Sequence, residues 1–97
     1  MDIVITDNQQ QQQFQATLNG EQAYLEYRWY KQALALMHTF VPESLEGKGI
    51  ASALAKFALE YAKANKIQVM VYCPFVATYL KRHPEYNFLV IKNGGDS

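Results

Sequence analysis

The first half of the chain alternates in polarity, and the second half takes up the period of a helix. Ile3 to Thr6 is a short β-branched run closed by Asp7-Asn8, two turn formers. Five consecutive glutamines, Gln9 to Gln13, follow and read as a polar loop running into a strand. Phe14, Ala16 and Leu18 alternate with polar residues up to Asn19-Gly20. That dipeptide suits a type I′ hairpin turn, whose two central residues need positive φ. Ala23, Leu25, Tyr27 and Trp29 then alternate with Tyr24, Glu26, Arg28 and Tyr30, which predicts a half-buried antiparallel strand. Lys31-Gln32 is a second polar turn, Ala33 to Val41 a third and more apolar strand, and Pro42 its end.

Beyond Pro42 the spacing changes. Ile50, Leu54, Phe57 and Tyr61 recur at four and three residues with Ala51, Ala55, Ala58 and Ala62 between them. This predicts an alanine-rich amphipathic helix from about Gly47 to Ala64, stopping at Asn65, a residue that tolerates the left-handed C′ conformation. Ile67 to Tyr72 is an almost unbroken apolar run and predicts a strand buried on both faces, as in a parallel pair. Pro74 suits the first turn of another helix, which ends before Pro84. Phe88 to Ile91 reads as a last short strand, and Lys92 to Ser97 as a frayed tail. The fold class is therefore α+β (mixed α/β), one domain over 1–97. Antiparallel N-terminal strands lead into a right-handed β-α-β crossover, then a helix and a short C-terminal strand.

Composition and charge narrow the function. With 49% hydrophobic and 19% charged residues the chain is ordinary globular. Nine basic and nine acidic residues cancel, which excludes a generic nucleic-acid binder. The zero is unevenly built. Residues 1–45 carry Asp2, Asp7, Glu21, Glu26 and Glu43 against Arg28 and Lys31, a net of −3. Residues 46–82 carry Lys48, Lys56, Lys63, Lys66, Lys81 and Arg82 against Glu46 and Glu60, a net of +4, so an anionic ligand belongs to this segment. The lone Cys73 excludes an intrachain disulfide, and two histidines give a metal site almost nothing to build on. Met1-Asp2-Ile3-Val4 is not a signal peptide, and no apolar run approaches the ~20 residues of a membrane helix. Together these point to a cytoplasmic protein without nucleic-acid or membrane partners.

Between the third strand and the first helix lies Glu43-Ser44-Leu45-Glu46-Gly47-Lys48-Gly49-Ile50-Ala51. Ligands of α/β units gather at such places, where strand carboxyl ends meet a helix N-terminus. Small residues let backbone approach a ligand, and the first N–H groups of the helix lack intrahelical partners. A diphosphate fits there, as does a tight turn that needs glycine only for its geometry. The Gly-x-x-x-x-Gly-Lys-Ser/Thr phosphate loop fails, since it needs a glycine further upstream and Lys48 is followed by Gly49. The dinucleotide fingerprint fails as well, because Ser52 stands at its third glycine and Cys73 at its acid.

His38-Thr39-Phe40-Val41-Pro42 followed by Leu45-Glu46-Gly47-Lys48-Gly49-Ile50-Ala51 resembles the acyl-CoA-binding core of the GNAT N-acetyltransferase superfamily. In its Gln/Arg-x-x-Gly-x-Gly/Ala pattern, Gly49 and Ala51 fill the small positions, while Glu46 departs from Gln or Arg. Cys73-Pro74-Phe75 and Arg82-His83-Pro84-Glu85-Tyr86 are similar to a subgroup of very short members. The resemblance implies two strands splaying around acetyl-CoA, with the pantetheine arm along Phe40 and Val41. It further implies the pyrophosphate on Gly47, Lys48, Gly49, Ile50 and Ala51, and Pro74 in the cofactor-binding set. No metal is implied.

Acetyl transfer needs a base for the amine and an acid for the departing thiolate. Cys73 ends a strand just before a proline-started helix, where a helix N-terminus lowers a thiol pKa. It suits the acid, less readily a covalent nucleophile, and an inert core thiol is the ordinary alternative. His38 shares side-chain parity with Leu34, Leu36 and Phe40, so it reads equally as a buried core residue or as a base brought near Cys73 by parallel pairing. Many family members use a tyrosine acid on the following helix. That position falls here on Leu80, and Tyr79, one residue early, is turned by about 100°. His83 reads as a helix C-terminal cap. The function expected is acetyl-CoA-dependent N-acetyl transfer to an amine, protein or small molecule. The alternative is a non-catalytic acyl-CoA-binding or interaction module, because so short a chain leaves little to build an acceptor pocket. A disulfide-exchange role fails for want of a second cysteine, and monomer and homodimer both stay open.

Overall fold

The computed structural model describes residues 3–91. Its strands form one sheet in sequence order: β1 (Ile5–Asn8), β2 (Gln13–Leu18), β3 (Glu21–Tyr30), β4 (Ala33–Phe40) and β5 (Val69–Val71). The first three junctions are antiparallel, and β4 pairs with β5 in parallel. Asn19 and Gly20 take φ of +52° and +79°, as the hairpin turn between β2 and β3 requires. The glutamine tract turns over Gln9–Gln12 and enters β2 at Gln13; the Gln11 amide donates to Asn8 Oδ1 at 3.1 Å. β1 therefore runs through Asp7-Asn8, which the sequence reads as its stop.

Helix α1 (Ile50–Ala64) crosses from β4 to β5, and α2 (Pro74–Arg82) follows. Both lie on one face of the sheet, since they pack on each other and both reach β4. α1 begins later than the periodicity predicts. A 3₁₀ turn, Glu43–Leu45, takes up the intervening chain, and Gly49 caps the helix at φ +77°. At its far end Lys66, not Asn65, holds the left-handed position (φ +57°). The Lys66 and Ile67 amides return to the carbonyls of Lys63 and Ala62, the paired bonds of a Schellman closure.

Two further expectations change. Phe88 to Ile91 is not a strand. Pro84–Leu89 winds as a 3₁₀ helix, and only Val90 bridges in parallel to Val69. Pro84 sets a helical φ at the start, and Tyr86 and Leu89, three residues apart, then eclipse on the buried side, leaving Phe88 exposed. The run 67–72 is also not buried on both faces. Val69 is fully buried, Met70 half-buried and Tyr72 exposed, because both helices cover the same side.

The core fills the space between sheet and helices. Phe14, Leu25, Leu34, Leu36 and Val69 face Leu54, Ala58, Leu59 and Val76. Two phenol–carboxylate hydrogen bonds fasten its margins: Tyr27 donates to Asp7 at 2.6 Å, and Tyr86 to Glu60 at 2.5 Å. Along β3–β4 the register advances from Tyr27–Leu36 to Glu26–His38, so Met37 is an extra, unmatched residue, a β-bulge.

Candidate functional site

The bulge decides which side chains meet. Strand residues alternate between faces, so one extra residue reverses the sidedness of everything after it. Before Met37, Leu34 and Leu36 face the helices. After it Thr39, paired with the buried Leu25, turns inward, while His38 and Phe40 turn outward opposite Glu26 and Tyr24. His38 is exposed, its ring edge-on to Tyr24 with centroids 6.4 Å apart. The parity that the sequence assigned to His38 is thus broken by the bulge, and it lies on the opposite side of the sheet from the buried Cys73. The Cys–His juxtaposition does not form. Instead Thr39 Oγ1 lies 3.1 Å from Cys73 Sγ.

The same place is where β4 and β5 part. Their ladder holds three pairs, Leu34–Val69, Ala35–Met70 and Leu36–Val71. The Leu36 carbonyl then accepts from both the Tyr72 amide (2.9 Å) and the Cys73 amide (3.0 Å), which closes the ladder. Beyond it β4 continues against β3, while Cys73 becomes the N-cap of α2 and Pro74 its first residue. A wedge opens between Thr39–Val41 and the start of α2.

On the helix side the wedge leads into a cleft of about 220 Å³ lined by Val41, Leu45, Gly47, Gly49, Ile50 and Phe75, with Glu46, Ala51 and Ser52 at its rim. Gly47 and Gly49 have φ of +82° and +77°, and a Cβ on either would meet nothing within 4 Å. Their requirement is therefore conformational: both carry the chain through a left-handed turn that side chains resist. Among the described residues no protein acceptor meets the amides of Gly47 to Ser52. Such a row at a helix N-terminus suits an anion, and exposed Lys48 adds positive charge. Glu46 is exposed at the same rim and opposes it.

Of the expected cofactor residues, Val41, Gly47, Gly49, Ile50 and Ala51 line the cleft. Lys48 stands exposed beside it, Pro74 is exposed at the start of α2, and the Phe40 ring lies on the other face against Tyr24 at 5.5 Å. The sequence reading missed Thr39, Leu45 and Phe75. Thr39 is a lone polar residue in an apolar strand, a signal that means little without the bulge. Tyr79 is buried and stacked on His83 with centroids 4.1 Å apart, its phenol pushed up by burial and then by Glu85 and Glu60. His83 caps α2, as read, with its Nδ1 3.5 Å from Glu85. No group of three or more metal-ligating side chains occurs among the described residues, nor any helix long and apolar enough to cross a membrane.

Both the sequence and the fold have counterparts among known proteins. The model of the GCN5-related N-acetyl-transferase family matches residues 13–89. Protein NATD1 of Mus musculus is 33% identical over 90 residues, which span 90% of this chain and 82% of that protein. Protein NATD1 of Homo sapiens is 32% identical over 90 residues, spanning 90% and 80%. The NMR solution structure of a GCN5-like protein from Staphylococcus aureus shares the fold, with a TM-score of 0.69 over 91% of this chain and 87% of that one at 23% identity. The family model's match to residues 13–89, with a relative 33% identical over 82% of its own length, makes this chain a member of the GCN5-related N-acetyltransferase family.

Proposed function

We propose that the protein is an acetyl-CoA-dependent N-acetyltransferase in which an amine attacks directly within a ternary complex. The observation that carries this reading is the two-sided wedge. One side presents unpaired amides above left-handed glycines, and the other presents an exposed imidazole. Acetyl-CoA, when bound, supplies an activated thioester.

The amides from Gly47 to Ala51, with Lys48, hold the pyrophosphate, which fits donors that have no protein acceptor. The backbone of Phe40, at the end of β4, and of Val41 just beyond it lines one side of the pantetheine arm, and Pro74 with Phe75 the other. His38 takes the proton of the attacking amine, for which its exposure on the uncovered face suits it. Cys73 is 2% exposed, so its proton reaches the departing sulfur through the half-buried Thr39 hydroxyl. That burial favours an acid over a covalent nucleophile, which the substrate would have to touch.

A second reading has its own observation. Cys73 is buried and His38 lies across the sheet from it, an arrangement that equally suits an acyl-CoA-binding module without chemistry. Titration with acetyl-CoA followed by turnover against mixed primary amines separates the two, with Cys73→Ala and His38→Ala alongside. The proposal expects saturable binding and turnover that falls in both variants while binding persists. Binding without turnover establishes the module, and absence of binding overturns both.

A further inference from the structure

The uncovered face of the sheet carries, at the mouth of the wedge, a concentration of rings that the fold does not use. Tyr24 and Phe40 lie opposite each other in register, their centroids 5.5 Å apart, with His38 edge-on to Tyr24. Across the splay, Val71 and Cys73 turn inward, so Tyr72 between them turns to this same face, 53% exposed; Phe40 is 43% exposed. Beside them Glu26 pairs with His38 in register. Arg28 donates to one Glu26 oxygen at 3.1 Å, but its other donor bonds the Tyr27 carbonyl, which holds the guanidinium back along its own strand. Alternation puts no other lysine or arginine of the strands on this face.

We infer that this rim is a binding site for an aliphatic ammonium group, the charged form of the amine acceptor. Two exposed rings, Phe40 and Tyr72, with the half-buried Tyr24 and one carboxylate are the chemistry that recognises a compact cation, through the negative ring faces and a charge-assisted hydrogen bond. A neutral apolar guest gains only the ring contact. The charge split of the chain agrees: residues 1–45, which supply Tyr24, Glu26, His38 and Phe40, have a net of −3, and residues 46–82, which supply the glycine loop, have +4. The two segments suit ligands of opposite sign on opposite sides of one wedge. The class of acceptor so selected is an alkylammonium on a flexible stem, such as a lysine side chain or a polyamine, over an arylamine. This assignment of the acceptor rests on the acetyltransferase reading above, whereas cation binding at the rim does not.

The test uses two probes that cannot be acetylated at nitrogen, choline and its neutral isostere 3,3-dimethylbutan-1-ol, titrated into the whole protein and followed by NMR. Choline should shift Tyr24, His38, Phe40 and Tyr72 with millimolar affinity, and the alcohol should bind roughly fivefold or more weakly. Tyr72→Leu and Tyr24→Leu should each weaken choline by about fivefold and leave acetyl-CoA affinity within roughly twofold. Equal affinity for both probes, or no shift at these residues by about 50 mM choline, overturns the inference. Acetyl-CoA binding is measured in parallel. Its failure with choline shifts intact removes the transferase reading and keeps the cation site.

Discussion

The two halves of β4 share one strand and one antiparallel neighbour yet behave as different structures. Ala33 to Leu36 are all buried and laddered to β3 on one side, and from Leu34 on to β5 on the other. Met37 to Phe40 keep β3 only, and their burial alternates between half-buried and exposed. A single unmatched residue separates the two. The first half supports the fold with apolar contact on a closed ladder. The second half, past Met37, trades the ladder for access, with a hydroxyl facing the core and an imidazole facing solvent. A bulge thus places chemically different groups on the two sides of one opening without an added loop.

The harshest way to break this difference is to insert one alanine between Met37 and His38. With Met37 still the unmatched residue, His38 would fall opposite the inward Leu25, beside Cys73, and Thr39 opposite the outward Tyr24, burying a polar ring without a partner. Stability should fall by about 1–3 kcal/mol in urea unfolding, and acetyl-CoA binding should be lost. Retained binding would show that the sides taken by His38 and Thr39 are not what shapes the site. Less drastic is His38→Gln. Because the side chain is exposed, stability should change by no more than about 0.5 kcal/mol, while turnover should drop by roughly 10²–10⁴-fold. Unchanged turnover moves the base elsewhere.

Thr39→Val tests the inward side. Turnover should fall about tenfold with acetyl-CoA affinity within roughly twofold, and Thr39→Ser should restore it. Turnover that Thr39→Val leaves unchanged would make the Thr39–Cys73 pair mere packing. The smallest effect belongs to the cleft rim. Glu46→Gln removes a carboxylate from beside the amide row and should tighten acetyl-CoA by about two- to fivefold, a gain that fades at high salt. Equal affinity in both proteins would place the phosphates away from Glu46.

Much of this architecture was legible in the sequence. Alternation, apolar runs, helical spacing and the prolines located all five strands and both helices, Asn19-Gly20 located its hairpin, and Gly47 and Gly49 marked the cleft. What was not legible depends on partners. Nothing in Met37 marks it as a bulge, because a bulge is a property of two strands, and so the sides of His38 and Thr39 could not be assigned from parity. The 3₁₀ ending is similar. Phe88 to Ile91 is an unbroken apolar run, as a short strand would be, but Tyr86 and Leu89 reach the core through the tighter helix that Pro84 begins. Lys66 took the left-handed position from Asn65 because the Schellman bonds needed one more residue.

The two phenol–carboxylate bonds at the margins of the core tie folding to alkaline pH. Burial, followed by the bond to Asp7, raises the Tyr27 phenol above the usual range, and the bond to Glu60, followed by burial, does the same for Tyr86. A free tyrosine loses its proton near about pH 10. Above that pH the unfolded chain releases protons that the folded one retains. The stability these phenols contribute is therefore complete below about pH 10 and drains away as pH climbs toward their folded values. Unfolding midpoints between neutral pH and about pH 11 should slope downward, and Tyr27→Phe with Tyr86→Phe should flatten the slope. A slope unchanged in the double variant would assign the alkaline limit to other groups. With two such latches, β1 and the 3₁₀ ending are where base would first loosen the molecule.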